Sequence, residues 1–385
     1  MTSSGAATLP RFNSLLIVRL SAMGDIIHTL PAAGALREAF PHATLGWLIE
    51  DRWAELLCTL RYPRAGRRSA ERPLVDRVHT VNFGQWRGAL LSINTLQEIA
   101  VGLSELRGVK YDAVVDFQGA VRSALLARWS GAQTIFGDAQ PRENAASMFY
   151  TRQVETSGRH VVEQALDLAR AVIGNGGTGE IAYREASVAA SEEMISPGTS
   201  AAEFPVDADA ERKISCDTAG MTDFAVLNPG AGWGAKQWPA ERYGAVAREL
   251  AREGVCSLVN FGPGEEELAE AVEEASGGSA RKIFCSIAEL ISLTRRARLL
   301  IGGDTGPMHL AAALRVPVVA IFGPTNPARN GPFGTRAIVL RSASSLTDHS
   351  RHREPEAGLL EITPEEVATA ARELLGGAPR GTRVS

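Results

Sequence analysis

Four short stretches of the chain place chemically useful residues where an apolar run gives way to a helical pattern. The first is Ser21-Ala22-Met23-Gly24-Asp25, directly after the apolar run LLIVRL. Asp25 can cap the helix that follows, or it can serve as a general base toward a ligand bound at the turn. The second is Asn228-Pro229-Gly230-Ala231-Gly232-Trp233-Gly234-Ala235-Lys236-Gln237-Trp238-Pro239. Its glycines let backbone amides approach a ligand closely and a lysine follows, the ingredients of a phosphate cradle. Only Lys110, Lys213, Lys236 and Lys282 stand among the 40 basic residues as lysines, which draws attention to Lys236. The stretch is neither a Walker motif, since no Ser or Thr follows the lysine, nor the G-x-G-x-x-G dinucleotide turn.

The third stretch is Gly302-Gly303-Asp304-Thr305-Gly306-Pro307-Met308-His309, after the apolar LLIG. Asp304 can cap a helix, but Asp, Thr and free amides at a helix start also make a corner for phosphate or a polyol, with His309 beside it. The fourth is Gly262-Pro263-Gly264-Glu265-Glu266-Glu267. Its acids suit a helix N-terminus, and a carboxylate in that place can also hold ribose hydroxyls.

The elements that must carry these turns alternate. Strands are expected at residues 15–20, 44–49, 113–116, 224–227, 256–261, 299–301 and 318–322, with helices near 26–40, 121–129, 161–172, 240–253, 265–275, 287–296 and 306–314. Continuous rather than alternating apolarity in the strands predicts parallel sheets covered on both faces, an α/β fold built twice. Such sheets bind ligands outside the carboxyl ends of their strands, where all four stretches fall. Residues 1–185 form the expected first domain, 186–222 a linker rich in Gly, Ser and Ala, and 223–345 the second domain. Thr363-Pro364-Glu365-Glu366 opens a last helix, about 363–376, which could return to pack on the first domain.

Composition narrows the class. The 385 residues are 45% apolar and 22% charged, as in a folded protein that has two domains. A net charge of −4 lacks the positive field of non-specific nucleic-acid binding. Four scattered cysteines indicate neither a zinc site nor a disulfide framework, and no run is long and apolar enough to cross a membrane, so a cytoplasmic protein is expected.

With these residues in view, the sequence resembles glycosyltransferase family 9, the ADP-heptose:lipopolysaccharide heptosyltransferases, and within it the heptosyltransferase I group. LLIVRLSAMGDIIHTLPA, YDAVVDFQGAVRSALLAR, RENAASMFY, NPGAGWGAKQWP, GGDTGPMHLAAAL and FGPTNPARNGPFG carry the likeness over nearly the whole chain. The resemblance implies a GT-B fold, two Rossmann-like domains whose parallel sheets face across a cleft, the acceptor on the first and the nucleotide-sugar on the second. It implies Asp25 as catalytic base and Lys236 on the donor diphosphate, with Ala231, Gly232, Asp304, Thr305, Gly306 and His309 around the donor. Glu265 or Glu266 would hold the ribose, and Cys285 would pack on adenine. Gly24, Arg87, Gln118, Arg122 and Arg142 are the candidates for acceptor contact. The basic stretch Arg61–Arg77 either joins them or is a solvated loop, and His349 and His352 match nothing in the pattern.

The implied reaction is an inverting transfer of heptose from ADP-heptose to a Kdo-lipid A type acceptor in the lipopolysaccharide inner core. It implies no cofactor and no metal, and peripheral contact with the cytoplasmic face of the inner membrane. Three alternatives remain at this stage: a family member with another acceptor, such as a heptosyltransferase II; a non-catalytic nucleotide-binding protein; and an NAD-dependent Rossmann protein, which the missing dinucleotide turn disfavours.

Overall fold

The computed structural model describes residues 12–88, 92–176, 202–348, 350 and 352–376. Two compact units are formed, and each is organised around its own parallel sheet. The first contains β1 (Ser14–Val18), β2 (Thr44–Glu50), β3 (Arg77–Val81), β4 (Ala113–Asp116), β5 (Thr134–Asp138) and β6 (Arg152–Val154), in the spatial order β3-β2-β1-β4-β5-β6. The second contains β7 (Phe224–Asn228), β8 (Cys256–Phe261), β9 (Ala280–Phe284), β10 (Leu299–Gly303), β11 (Val318–Phe322) and β12 (Ala337–Arg341). Its order, β12-β11-β10-β7-β8-β9, is the same topology traced a second time.

The helices of the first unit are α1 (Met23–Ala39), α2 (Phe83–Gly88), α3 (Ile93–Gly108), α4 (Val121–Trp129) and α5 (Val161–Gly176). Those of the second are α6 (Ala208–Asp217), α7 (Ala240–Arg252), α8 (Glu266–Ala275), α9 (Ile287–Arg296), α10 (Gly306–Ala313), α11 (Pro327–Asn330) and α12 (Pro364–Gly376). Strands β1, β4, β7, β10 and β11 are buried along their whole length or nearly so, which is why they are apolar throughout instead of alternating. Both sheets reverse their direction of growth beside the central strand, between β1 and β4 in one and between β7 and β10 in the other. A crevice opens at the carboxyl ends of such a strand pair, and ligands bind there.

Three expectations change. Helix α1 begins at Met23, so Asp25 lies inside its first turn and is not the cap residue. The expected linker holds α6, capped by Asp207, whose carboxylate takes the amides of Asp209 and Ala210 at 2.9 and 3.0 Å. Ala202–Pro205 still group with the first unit and Val206 opens the second, while the part of the linker at 177–201 lies outside the described residues. The last helix, which could have returned to the first unit, instead packs on α7 and on β10, β11 and β12 of the second. Leu359, Ile362, Val367, Ala371 and Leu374 join the core of that sheet, and the Trp238 indole donates to the Ile362 carbonyl at 3.1 Å.

The C-terminal helix is therefore core, and its truncations should cost accordingly. Leu359→Ala and Leu374→Ala are each expected to lower the unfolding free energy by about 2–5 kcal/mol in urea titrations. A cost below about 0.5 kcal/mol would show the helix to be a surface appendage.

Candidate functional site

In the second unit the loop after β7 and the turn after β10 meet at the switch point. Lys236, closing a short 3₁₀ turn at Gly234–Lys236, places its ammonium 2.7 Å from Asp304 Oδ2 and 5.1 Å from the centre of the Trp233 ring. His309, on the first turn of α10, brings Nε2 to 3.1 Å from Asp304 Oδ1. Burial alone would raise the Asp304 pKa. The hydrogen bond from His309 and the charge of Lys236 outweigh it and hold the carboxyl well below the usual carboxylate range. Asp304 is thus an anion gripped on both oxygens, at the start of a helix whose free amides favour negative ligands.

The cradle is braced from below and from the side. Asn228 donates from Nδ2 to the Gly230 carbonyl and to Thr305 Oγ1, each at 3.3 Å, and accepts from Asn260 Nδ2 at 2.8 Å. From the far end of the chain, the His352 carbonyl accepts the Ala235 amide at 3.1 Å and the Glu356 amide donates to the Ala235 carbonyl at 3.2 Å. A Cβ at Gly234 would overlap the Arg353 carbonyl, so only glycine lets this strap close on the lysine loop. His352 itself pairs with Asp348 at 3.2 Å, and His349 lies outside the described residues.

The two acids of the fourth stretch part in the structure. Glu265 accepts the Gly262 amide at 2.9 Å, and its carboxylate lies so near Gly230 that a side chain there would collide with it. Glu266 instead points outward, 71% exposed and 4.0 Å from Lys282. Ala231 is half-buried and Gly232 exposed on the loop, with Thr305 and Gly306 at the start of α10. Cys285 is buried just beyond β9, and burial pushes its thiol up to about 12; no hydrogen bond or ion pair joins it to the Lys236 and Asp304 cluster among the described residues. Its neighbour Phe284, 50% exposed at the carboxyl end of β9 and packed on Phe261, is an aromatic surface that sequence reasoning passed over.

In the first unit the corresponding turns follow β1 and β4. Asp25 accepts the Ala22 amide at 3.2 Å through Oδ2 and meets Arg19 Nη2 at 2.9 Å through Oδ1, with 39% of its side chain exposed. Arg19 also donates to the Phe117 carbonyl. It was missed in the sequence, although an arginine inside the otherwise apolar LLIVRL is the signal that could have found it. Gln118 is buried, and its Oε1 accepts the amides of Leu20 and Ser21 at 3.0 and 3.3 Å. Through these two bonds it holds the turn of Asp25. Beneath it, Asp116 accepts the amides of Gln118 and Gly119, the Ser123 hydroxyl and the Tyr150 hydroxyl. Burial pushes this carboxyl up to about 6 against those donors.

The remaining candidates for acceptor contact separate. Arg122 reaches Ser21 Oγ at 3.4 Å, and the exposed Arg142 stands where the neighbouring Glu143 amide bonds the Gly119 carbonyl at 2.9 Å. Arg122 therefore borders the Asp25 turn, and Arg142 the turn after β4 that Gln118 links to it. Gly24 is half-buried in the first turn of α1, and Arg87 lies in α2, its side chain outside what the structure describes. The Arg61–Arg77 stretch is largely self-folded: Arg72 is fully buried, donating to the carbonyls of Pro63, Arg67 and Val75, while Arg64 pairs with Asp51 at 2.8 Å. Among the described residues no group of three or more His, Cys, Asp or Glu is placed to hold a metal ion, and no helix is long and apolar enough to cross a membrane.

Solved structures share this architecture. An Escherichia coli heptosyltransferase, WaaC with ADP, superposes with a TM-score of 0.70 at 25% identity, covering 94% of this chain and 99% of that one. The E. coli ADP-heptose lps heptosyltransferase II has the same fold, with a TM-score of 0.70 at 19% identity, covering 94% of this chain and 98% of that one. Twin Rossmann-like sheets of this kind define a glycosyltransferase of the GT-B class. Residues 103–359 match the family described as glycosyltransferase family 9 (heptosyltransferase), and the chain belongs to that family. Among sequence relatives, lipopolysaccharide heptosyltransferase 1 of Pseudomonas aeruginosa is 29% identical over 332 residues, 85% of this chain and 83% of that protein. Its counterpart in E. coli K12 is 28% identical over 338 residues, 85% of this chain and 93% of that protein.

The buried Asp116 sets a pH dependence. Its folded pKa of about 6 lies above the ordinary 3.8, so the folded protein holds the extra proton between those values and stability falls as pH rises through that window. The slope from this group approaches about 1.4 kcal/mol per pH unit. Urea unfolding between pH 4 and pH 7 should show this loss in the wild type, and Asp116→Asn should flatten it; equal slopes in the two proteins would remove the assignment.

Proposed function

We propose that this protein transfers a heptose from ADP-heptose to a Kdo-lipid A type acceptor, with inversion at the anomeric carbon, in building the lipopolysaccharide inner core. The observation that carries this reading is the assembly of Lys236, Asp304, Thr305, His309 and Glu265 around the glycine-rich loop at one switch point. A cation, helix-start amides and a carboxylate at that spacing suit a nucleoside diphosphate with its ribose. Relatives and a solved neighbour named as heptosyltransferases, one titled with ADP-2-deoxy-2-fluoro heptose, supply the sugar.

Asp25 takes the proton of an acceptor hydroxyl as that oxygen attacks the anomeric carbon, and ADP leaves from the opposite face. Arg19 keeps the carboxylate oriented before the attack. Charge growing on the departing diphosphate is met by Lys236 and by the amides at the start of α10, so the chemistry proceeds without a divalent metal. Glu265 receives the ribose hydroxyls and Phe284 offers a face to the base. Arg122, beside the Asp25 turn, and Arg142, beside the turn after β4, receive the anionic acceptor. Work on a lipid-linked substrate places the protein in the cytoplasm, in peripheral contact with the inner membrane.

Incubation with ADP-heptose, and separately with other nucleotide sugars, on Kdo-lipid A with mass detection should yield one added heptose from ADP-heptose alone. Product only on an already heptosylated acceptor would assign the second transfer of the core instead. Asp25→Asn and Lys236→Met are each expected to lower kcat at least about a hundredfold with the fold intact by circular dichroism. Phe284→Ala should raise the donor KM several-fold at unchanged kcat. EDTA should leave the rate unchanged, and an EDTA-sensitive rate restored by a divalent ion would overturn the metal-free step.

A further inference from the structure

A cavity of about 680 Å³ opens in the first unit among β3, α2, α3 and α4. Hydrocarbon makes up most of its walls, from Leu48, Val78, Val81, Leu103, Leu106 and Leu126, with His79, Thr80, Asn82 and Gln85 among the polar groups at the lining. Several of these also belong to the unit's core, so the hole is set into packed structure and is not a surface dimple. Large apolar voids are unfavourable when filled by water, which finds no hydrogen-bond partners on such walls. The walls suit an alkyl chain.

Three features at the opening define what such a chain is attached to. Trp86 lines the cavity, and its indole Nε1 is buried with no acceptor among the described residues. Arg122 also lines it, its guanidinium 5.3 Å from the centre of the Phe83 ring and 3.4 Å from Ser21 Oγ in the turn of Asp25. One side chain therefore borders both the cavity and the turn that carries the base. Arg64 and Asp51, also at the lining, satisfy one another at 2.8 Å, while on α3 Glu98 is exposed and Glu105 brings its carboxylate to 3.7 Å from the buried His79 ring. Finally, α3 leaves Ile93, Leu96 and Val101 exposed, so apolar surface continues outward from the cavity wall.

We propose that this cavity receives one acyl chain of the lipid acceptor, its linking ester or amide carbonyl accepting from Trp86 Nε1 and its anionic headgroup resting on Arg122. The proposal rests on the lipid-acceptor reading given above. It assigns a part of the substrate that takes no part in the chemistry, and binding energy from such a part fixes the reacting hydroxyl near Asp25.

The test compares fully acylated with deacylated Kdo-lipid A under ADP-heptose, in the wild type and in Leu103→Trp and Ile99→Trp, whose larger side chains fill the cavity. The wild type should show a KM at least tenfold lower for the acylated acceptor, and both variants should erase that difference. Melting curves establish that each variant folds. Independently, lysophosphatidic acid with a brominated acyl chain should quench the indole fluorescence of the wild type, and Trp86→Phe should remove most of the quenching. Equal KM values for the two acceptors in the wild type, or quenching that survives Trp86→Phe unchanged, would overturn the proposal. So would an equal rise in KM for both acceptors in the filled variants, which would mean that a sugar occupies the site. Turnover of neither acceptor would fault the lipid-acceptor reading itself, and the quenching would still decide whether the cavity takes an acyl chain.

Discussion

The second unit depends on one shared carboxylate. Asp304 is buried, and a buried charge left alone is strongly destabilising, so its two oxygens are divided between Lys236 and His309. That division links the loop after β7 to the turn after β10, two segments far apart in sequence that the sheet order brings side by side. It also fixes the ammonium before any ligand arrives. In the proposed reaction a donor diphosphate would meet a cation already in place, with little reorganisation left for the reaction itself.

The first unit solves the mirror problem with the charges exchanged. There the working group is an anion, Asp25, and the group that holds it is a cation, Arg19, itself moored to the carbonyl of Phe117. Gln118 ties the same turn through two amides, and the buried Asp116 supports Gln118 from behind. In the second unit the partner of Lys236 comes from the strand across the switch point, while in the first Arg19 leaves β1 itself and Gln118 reaches over from β4. One topology traced twice thus yields two sites of opposite sign.

Much of this was legible in the residues. Buried central strands such as β1, β7 and β11 are apolar throughout and announced themselves, as did the helices that follow them. Strands β3, β6, β9 and β12 did not stand out, because charged or exposed residues such as Arg77, Arg152, Lys282 and Arg341 interrupt them. Helix α6 was hidden in a polar stretch because half its surface faces solvent and its signal is the Asp207 cap. Lys236, Asp304 and His309, singled out by type and position, meet in the structure, and Asp25 lies in the first turn of α1. Glu265 could not be separated from Glu266 by counting, since the choice depends on which carboxylate folds back on Gly230. The positioning role of Gln118 was equally unreadable, as it rests on a contact with residues nearly a hundred positions earlier.

The strap from His352 to Glu356 gives the order of synthesis a meaning. The Ala235 amide and carbonyl stay unmatched until those later residues have emerged from the ribosome and closed over them. The glycine-rich loop is thus finished only by a segment translated well after it, and a polypeptide that stopped short of His352, though it carries Lys236, Asp304 and His309, would be born without the strap that holds this loop.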